Sequence, residues 1–268
     1  MINTALFADA AALRRSLIAL SAVGGLFTVS VLLFAARCLL QGRIRDAEID
    51  RRGASVLIGN LARTYFAWVM RPAVEALRRS GATPNAVTVA SVMPALVSAW
   101  LAAVGEFTFA GLAYLFSGAC DFLDGRLARE TGRSSSGGAA LDSVLDRYSE
   151  CAVLCGLAWF YREGWMPAAT LGVITGSLLV PYIRARGEGL GIDVKVGLMQ
   201  RPERVVLLGL ALTFAEPIDW LVGWNDRIPR HLAVVATLAF LAVSTHLTAL
   251  TRLRYIVRAL DERDRAKP

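Results

Sequence analysis

The chain alternates apolar runs, each about twenty residues long and so long enough to cross a bilayer, with short polar segments. The first run, residues 16–37 (SLIALSAVGGLFTVSVLLFAAR), is too long for the apolar part of a signal peptide, and no A-x-A-like cleavage site follows it. Instead comes RCLLQGRIRDAEIDRR, a basic stop-transfer pattern, so the run reads as a retained anchor helix. Residues 56–80, ending in NLARTYFAWVMRPAVEALRRS, change character. Phe66, Trp68, Val69 and Val74 share one helical face, and Arg63, Arg71, Arg78 and Arg79 the other. That pattern suits an amphipathic helix lying on a membrane or packed on its own protein. GATPN then breaks the helix, with Thr83 or Asn85 as the cap of the next one and Pro84 fixing the turn.

Six further apolar runs follow, at about 86–105, 107–123, 138–161, 167–186, 202–222 and 231–253. The segments between them alternate in charge. Arg126, Arg129 and Arg133 lie in 124–135, and Arg184, Arg186, Lys195, Arg201 and Arg204 in 184–204; the segment after 251 is also rich in arginine. The intervening loops are poor in base: GEF has none, YREGWMP has Arg162, and 223–230 has Arg227 and Arg230. The positive-inside rule puts the richly basic segments in the cytoplasm, the N-terminus outside and the C-terminus inside. The expectation is an all-α integral membrane protein with seven spans. It divides into an anchor and basic linker (1–55), an amphipathic juxtamembrane helix (56–82), a six-helix domain (83–256) and a charged cytoplasmic tail (257–268).

Composition agrees with a membrane location. Hydrophobic residues make up 55% of the 268 positions and charged residues only 19%, below the share of about 25% common in soluble domains. The net charge of +7 reflects basic loops beside anionic lipid. No motif interleaves basic with aromatic residues, so nucleic acid is not expected as a partner. Cys38, Cys120, Cys151 and Cys155 form no CxxC pair and sit in or at the ends of apolar runs, as small core residues. Only two histidines are present, His231 and His246, which argues against a histidine-based site; His246 either packs helices or faces a polar cavity.

The chemistry concentrates in CDFLDGRLARETGRSSSGGAALDSVLDRYSE, residues 120–150. Asp121 and Asp124 are three apart, and Asp142 and Asp146 four apart, so each pair shares a helical face. GRSSSGG between them lets the two faces converge as a helical hairpin. Four clustered carboxylates repel one another unless cations intervene, and hard oxygen ligands suit Mg²⁺, Mn²⁺ or Ca²⁺, one or two ions in number. Such ions commonly bridge carboxylates to substrate phosphates, so a diphosphate is the natural substrate. The competing possibility is that Asp142 and Asp146 pair with Arg147 or Arg129. Gly125, Ala128 and Gly138 leave room for a ligand near the backbone, although Gly138 also fits plain helix packing, and Arg129 can neutralise a phosphate.

These residues match D-x2-D-G-x2-A-R-x8-G-x3-D-x3-D at every fixed position. The pattern resembles the signature of the CDP-alcohol phosphotransferase family, and the resemblance runs over roughly 60–255, including TPN before the first core span. It implies a usually dimeric six-helix membrane core with a polar cavity open to the cytoplasm (the inner membrane, for a bacterial source). A CDP-linked lipid such as CDP-diacylglycerol would give its phosphatidyl group to an alcohol, or CDP-choline or CDP-ethanolamine its headgroup to a lipid alcohol, releasing CMP. Asp121, Asp124 and Asp142 would be the main metal ligands, with two divalent ions. Asp146 would be the general base with some metal contact. Gly125, Ala128, Arg129, Gly138, Pro84 and Asn85 would line the CDP site.

PYIRARGEGLGIDVKVGLMQRPER, residues 181–204, resembles the SYIKAR…RPER segment of the phosphatidylinositol-phosphate synthase branch. That resemblance implies inositol phosphate as acceptor, its phosphate gripped by Arg184, Arg186, Arg204 and Arg252. Two positions depart from the branch pattern: Arg184 replaces a lysine and Pro181 a serine. Glycerol phosphate, serine or another polar alcohol are the alternatives, and a cation transporter is the alternative outside the enzyme class. A transporter would distribute acidic residues through the membrane depth, whereas here the four aspartates gather at one end.

Overall fold

A computed structural model describes residues 2–42, 59–194, 196–197, 199–223 and 231–266, with side chains from Leu13 onward. The basic linker at 43–55, the start of the amphipathic segment at 56–58, Lys195, Arg227 and Arg230 lie outside the described residues. Among the described residues every regular element is helical. The helices are α1 Ile2–Gln41, α2 Asn60–Arg79, α3 Pro84–Ala103, α4 Phe107–Glu130, α5 Ser136–Phe160, α6 Met166–Gly189, α7 Arg201–Thr213, α8 Ala215–Val222 and α9 Leu232–Arg265.

By length and apolar composition four helical stretches can cross a membrane: Leu13–Gln41, Pro84–Ala103, Met166–Gly189 and Leu232–Arg265. The pair α7 and α8 makes a fifth, bent by 55°. Helices α4 and α5 have 24 and 25 residues, about 36 Å of helix, but carry the aspartates and arginines that lower their apolar content. They are long enough to span, and their charges explain why composition alone does not mark them.

Four boundaries differ from the sequence expectation. Helix α4 continues to Glu130, so Asp124, Arg126 and Arg129 are helical, and the turn is only 131–135. It reverses at Gly132, whose φ of +66° suits a residue without a Cβ. Helix α6 continues to Gly189 and takes Arg184 and Arg186 with it. The run at 202–222 breaks at Phe214, because Pro217 has no N–H to give the Thr213 carbonyl. That carbonyl instead accepts the Thr108 hydroxyl at 3.0 Å. The charged segment from 257 continues α9 as far as Arg265.

The chain forms two compact units. The first contains residues 1–91 and 119–143. In it α2 packs its aromatic face on α1: Tyr65 and Trp68 make edge or tilted contacts with Phe34 at 5.3 and 5.4 Å, and the Ser30 and Tyr65 hydroxyls share a hydrogen bond. Phe66 meets Phe122 at 5.0 Å. The outer face holds Arg78 and Arg79, whose guanidinium groups bond Glu75, Arg78 first, and hold its carboxyl well below the usual range, at about 2. Thr83 caps α3, accepting the Ala86 N–H at 3.3 Å, as the TPN motif predicts.

The second unit contains residues 92–118 and 144–268. Its core joins Phe107, Tyr114, Leu154, Leu157, Val173, Leu212, Leu238 and Leu241. Small residues bring its helices close: a Cβ on Gly156 would stand 2.1 Å from the Ala99 carbonyl oxygen, and one on Gly111 2.5 Å from that of Gly209. His246 Nε2 donates to the Gly172 carbonyl at 3.1 Å, so of its two readings helix packing is the one observed. All four cysteines are free.

Candidate active site

In the first unit, α3, α4 and α5 contribute their ends to a cleft of about 180 Å³. Pro84, Asn85 and Thr88 come from the start of α3, and Asp124, Gly125, Ala128 and Arg129 from the end of α4. Arg133, Ser134 and Ser135 come from the turn, and Gly138 and Asp142 from the start of α5. The six residues assigned to the CDP site from sequence therefore line one cleft together with two of the aspartates. Gly138 leaves little room for a side chain, since a Cβ there would lie 3.0 Å from Asn85 Oδ1 and 3.1 Å from Ser135 Oγ. At Gly125 the added carbon would crowd the Arg129 guanidinium at 3.1 Å. Small residues at both positions keep the backbone accessible at the floor of the cleft.

Asp124 is 4% exposed, and the charges of Asp142 and Asp121 act on it. Its Oδ2 is enclosed with no hydrogen-bond partner among the described residues. An enclosed carboxylate oxygen without a donor, in the field of two more carboxylates, fits a divalent cation. Among the described residues no three His, Cys, Asp or Glu side chains stand in an arrangement that would hold an ion. Asp121 does not line the cleft.

The second unit holds the remaining predicted residues. Asp146 forms an ion pair with Arg201 at 2.8 Å, a partner that sequence spacing did not nominate. Arg204, 4% exposed, donates from Nε and Nη2 to both oxygens of Glu150 at 2.6 and 2.8 Å, and from Nη1 to Met199 O at 3.2 Å. Arg252, also 4% exposed, donates to Val196 O and Val180 O, each at 2.8 Å. Arg184 is exposed and pairs with Glu188 at 2.8 Å; Arg186 is exposed. The positive charges of Arg184 and Arg204 both act on Arg252. The structure therefore brings Arg184, Arg204 and Arg252 into one electrostatic neighbourhood. Sequence reasoning missed Glu150, Arg201 and Thr88. Glu150 was the most legible of them, as a carboxylate inside an apolar run.

A profile of the CDP-alcohol phosphatidyltransferase family matches residues 82–253. The phosphatidylinositol phosphate synthase of Mycobacteroides abscessus is 33% identical over 197 residues, covering 70% of this chain and 87% of that protein. The enzyme of the same name from Mycobacterium tuberculosis is 34% identical over 209 residues, covering 73% and 89%. Two solved structures of the M. tuberculosis enzyme match with a TM-score of 0.60 at 30% identity. The one with CDP-DAG bound aligns over 69% of this chain and 92% of that chain. The one in complex with manganese and citrate aligns over 69% and 87%.

Proposed function

Because the chain belongs to the CDP-alcohol phosphatidyltransferase family, and so is an integral membrane transferase of phospholipid synthesis, we propose that it moves the phosphatidyl group of CDP-diacylglycerol to inositol phosphate. The acceptor is the part of this reading that needs an observation from the chain itself. Arg252 carries that argument. It is buried, its hydrogen bonds go to backbone carbonyls, and it forms no ion pair among the described residues. The neighbouring cations Arg184 and Arg204 each have a glutamate. A buried cation beside two others is a site for an anion, and a phosphate on the acceptor meets that need.

The remaining assignments follow. Asp121, Asp124, Asp142 and Asp146 would hold two divalent ions, with Pro84, Asn85, Gly125, Ala128, Arg129 and Gly138 around the CDP group. Bound there, the ions supply positive charge to the diphosphate and to departing CMP. Asp146 takes the proton of the acceptor hydroxyl, whose oxygen forms a bond to the lipid-side phosphorus as that phosphorus loses its bond to CMP. Arg201 orients the Asp146 carboxylate through its ion pair. Arg184, Arg186, Arg204 and Arg252 receive the acceptor phosphate. The positive-inside rule, applied to the basic ends of α4 and α6, supports a site facing the cytoplasm, and the family resemblance supports a homodimer.

An acceptor screen tests the proposal. Labelled CDP-diacylglycerol with Mg²⁺ or Mn²⁺ is offered inositol phosphate, free inositol, glycerol phosphate or serine. CMP release with inositol phosphate, and little with free inositol, is expected. Preferential turnover of glycerol phosphate or serine would overturn the acceptor assignment, and no release with any alcohol would overturn the proposed reaction.

A further inference from the structure

Glu150 lies on α5 in the apolar sequence SECAVLCGLAWF, where an ionised carboxylate is costly. It and Arg204 are each 4% exposed. Its two oxygens take the Nε and Nη2 donors of Arg204 at 2.6 and 2.8 Å, and Ser177 Oγ donates to Oε1 at 2.9 Å. Helices α5, α6 and α7 thus meet at one carboxylate. Met199 O takes a third donor, from Nη1, at 3.2 Å. A guanidinium has five N–H groups, so two remain, both on its terminal nitrogens. Those two are held in a fixed plane, because the side-on fork with Glu150 locks the rotation of the group. The charge of Arg204 acts on Arg252, the buried cation beside it.

A buried ion pair by itself is a weak source of stability compared with apolar side chains of the same volume. Orientation is a better account of this one. We infer that Glu150 is a positioning residue for acceptor recognition, holding the Arg204 guanidinium so that its terminal N–H groups and Arg252 together receive a phosphate monoester. Its negative charge also lets Arg204 stay buried beside Arg252 before that phosphate arrives. The inference rests on the proposed acceptor site and adds to it a residue that touches no substrate.

Steady-state kinetics of the purified full chain test it, with CDP-diacylglycerol, Mn²⁺ and whichever phosphorylated alcohol the wild type uses best. Glu150→Gln should raise the acceptor KM about tenfold or more, the loss expected for misaligned charged hydrogen bonds. The donor KM should stay within about twofold, the range of independent sites. Glu150→Asp, which keeps the charge, should recover part of the loss. In an Arg204→Gln background, adding Glu150→Gln should change the acceptor KM less than about twofold, because the residue acts only through Arg204. That double variant replaces the ion pair by two amides and keeps the test readable if Glu150→Gln alone does not fold. Equal rises in donor and acceptor KM, or a further rise in the double variant, would overturn the inference while leaving the acceptor reading intact. A wild type that uses only unphosphorylated alcohols would overturn both, and the wild-type arm alone reveals it.

Discussion

Asp124→Asn separates the energetic cost of the carboxylate cluster from its use. Asp124 is almost fully enclosed, and its Oδ2 has no hydrogen-bond partner among the described residues. Asp142 and Asp121 add like charge. A polar atom enclosed without a partner costs about 1–3 kcal/mol, and more when charged. Asparagine has the same shape, and its amide can donate toward those carboxylates where the aspartate oxygen only repels them. Without metal the variant should therefore be more stable than wild type by about 1–3 kcal/mol, or roughly 2–5 °C in Tm for a chain of this size. Metal reverses the order. Mn²⁺ at about a hundred times its Kd stabilises a protein with one site by about 2.7 kcal/mol, and the variant, lacking a ligand, should lose most of that gain. The assay is thermal unfolding of detergent-purified protein in EDTA and in Mn²⁺, with CMP release measured alongside. The expected pattern is a higher Tm in EDTA, a smaller rise with Mn²⁺ and a large loss of turnover. A variant that melts at or below wild type in EDTA, or that gains as much from Mn²⁺, would refute the argument that Asp124 is strained until it binds an ion.

Three further outcomes are expected. Asp146→Asn should lower kcat by about 10² to 10⁴, the span typical of general-base loss, while the Mn²⁺-induced rise in Tm largely persists through Asp121, Asp124 and Asp142; normal turnover would remove Asp146 from its catalytic role. Arg252→Lys should raise the acceptor KM about tenfold, because a single ammonium cannot hold both the Val180 and Val196 carbonyls and still face a phosphate as the guanidinium does. An equal rise in donor KM would contradict that. Gly156→Ala should cost about 3 kcal/mol or more, since its Cβ would lie 2.1 Å from a backbone oxygen that cannot swing away; an unchanged melting temperature in detergent would show that α3 and α5 do not approach so closely.

Much of the fold was legible because helix formation in a membrane is local. An apolar run of spanning length must satisfy its own backbone hydrogen bonds, and a helix is the way one segment can do so. The run at 167–186 accordingly becomes Met166–Gly189, and TPN places the start of α3 at Pro84 with Thr83 as its cap. The cleft at the ends of α3, α4 and α5 was legible for a related reason. Its residues sit at the ends of consecutive helices joined by short turns, so spacing along the chain translates into neighbourhood in space. The break at Phe214 was missed because hydropathy weighs Pro217 as one more residue in an apolar run and ignores its missing N–H.

The sequence by itself thus determined most of the helices, the concentration of carboxylates and the family. Tertiary structure alone decided who pairs with whom. Asp146 meets Arg201, and Arg204 meets Glu150, each across to a different helix. No periodicity encodes such pairs. They depend on how closely neighbouring helices cross and at what register, which is set by contacts such as Gly156 against Ala99 and Gly111 against Gly209. A helix is specified by its own residues, whereas an ion pair between helices is specified by the packing that brings their faces together.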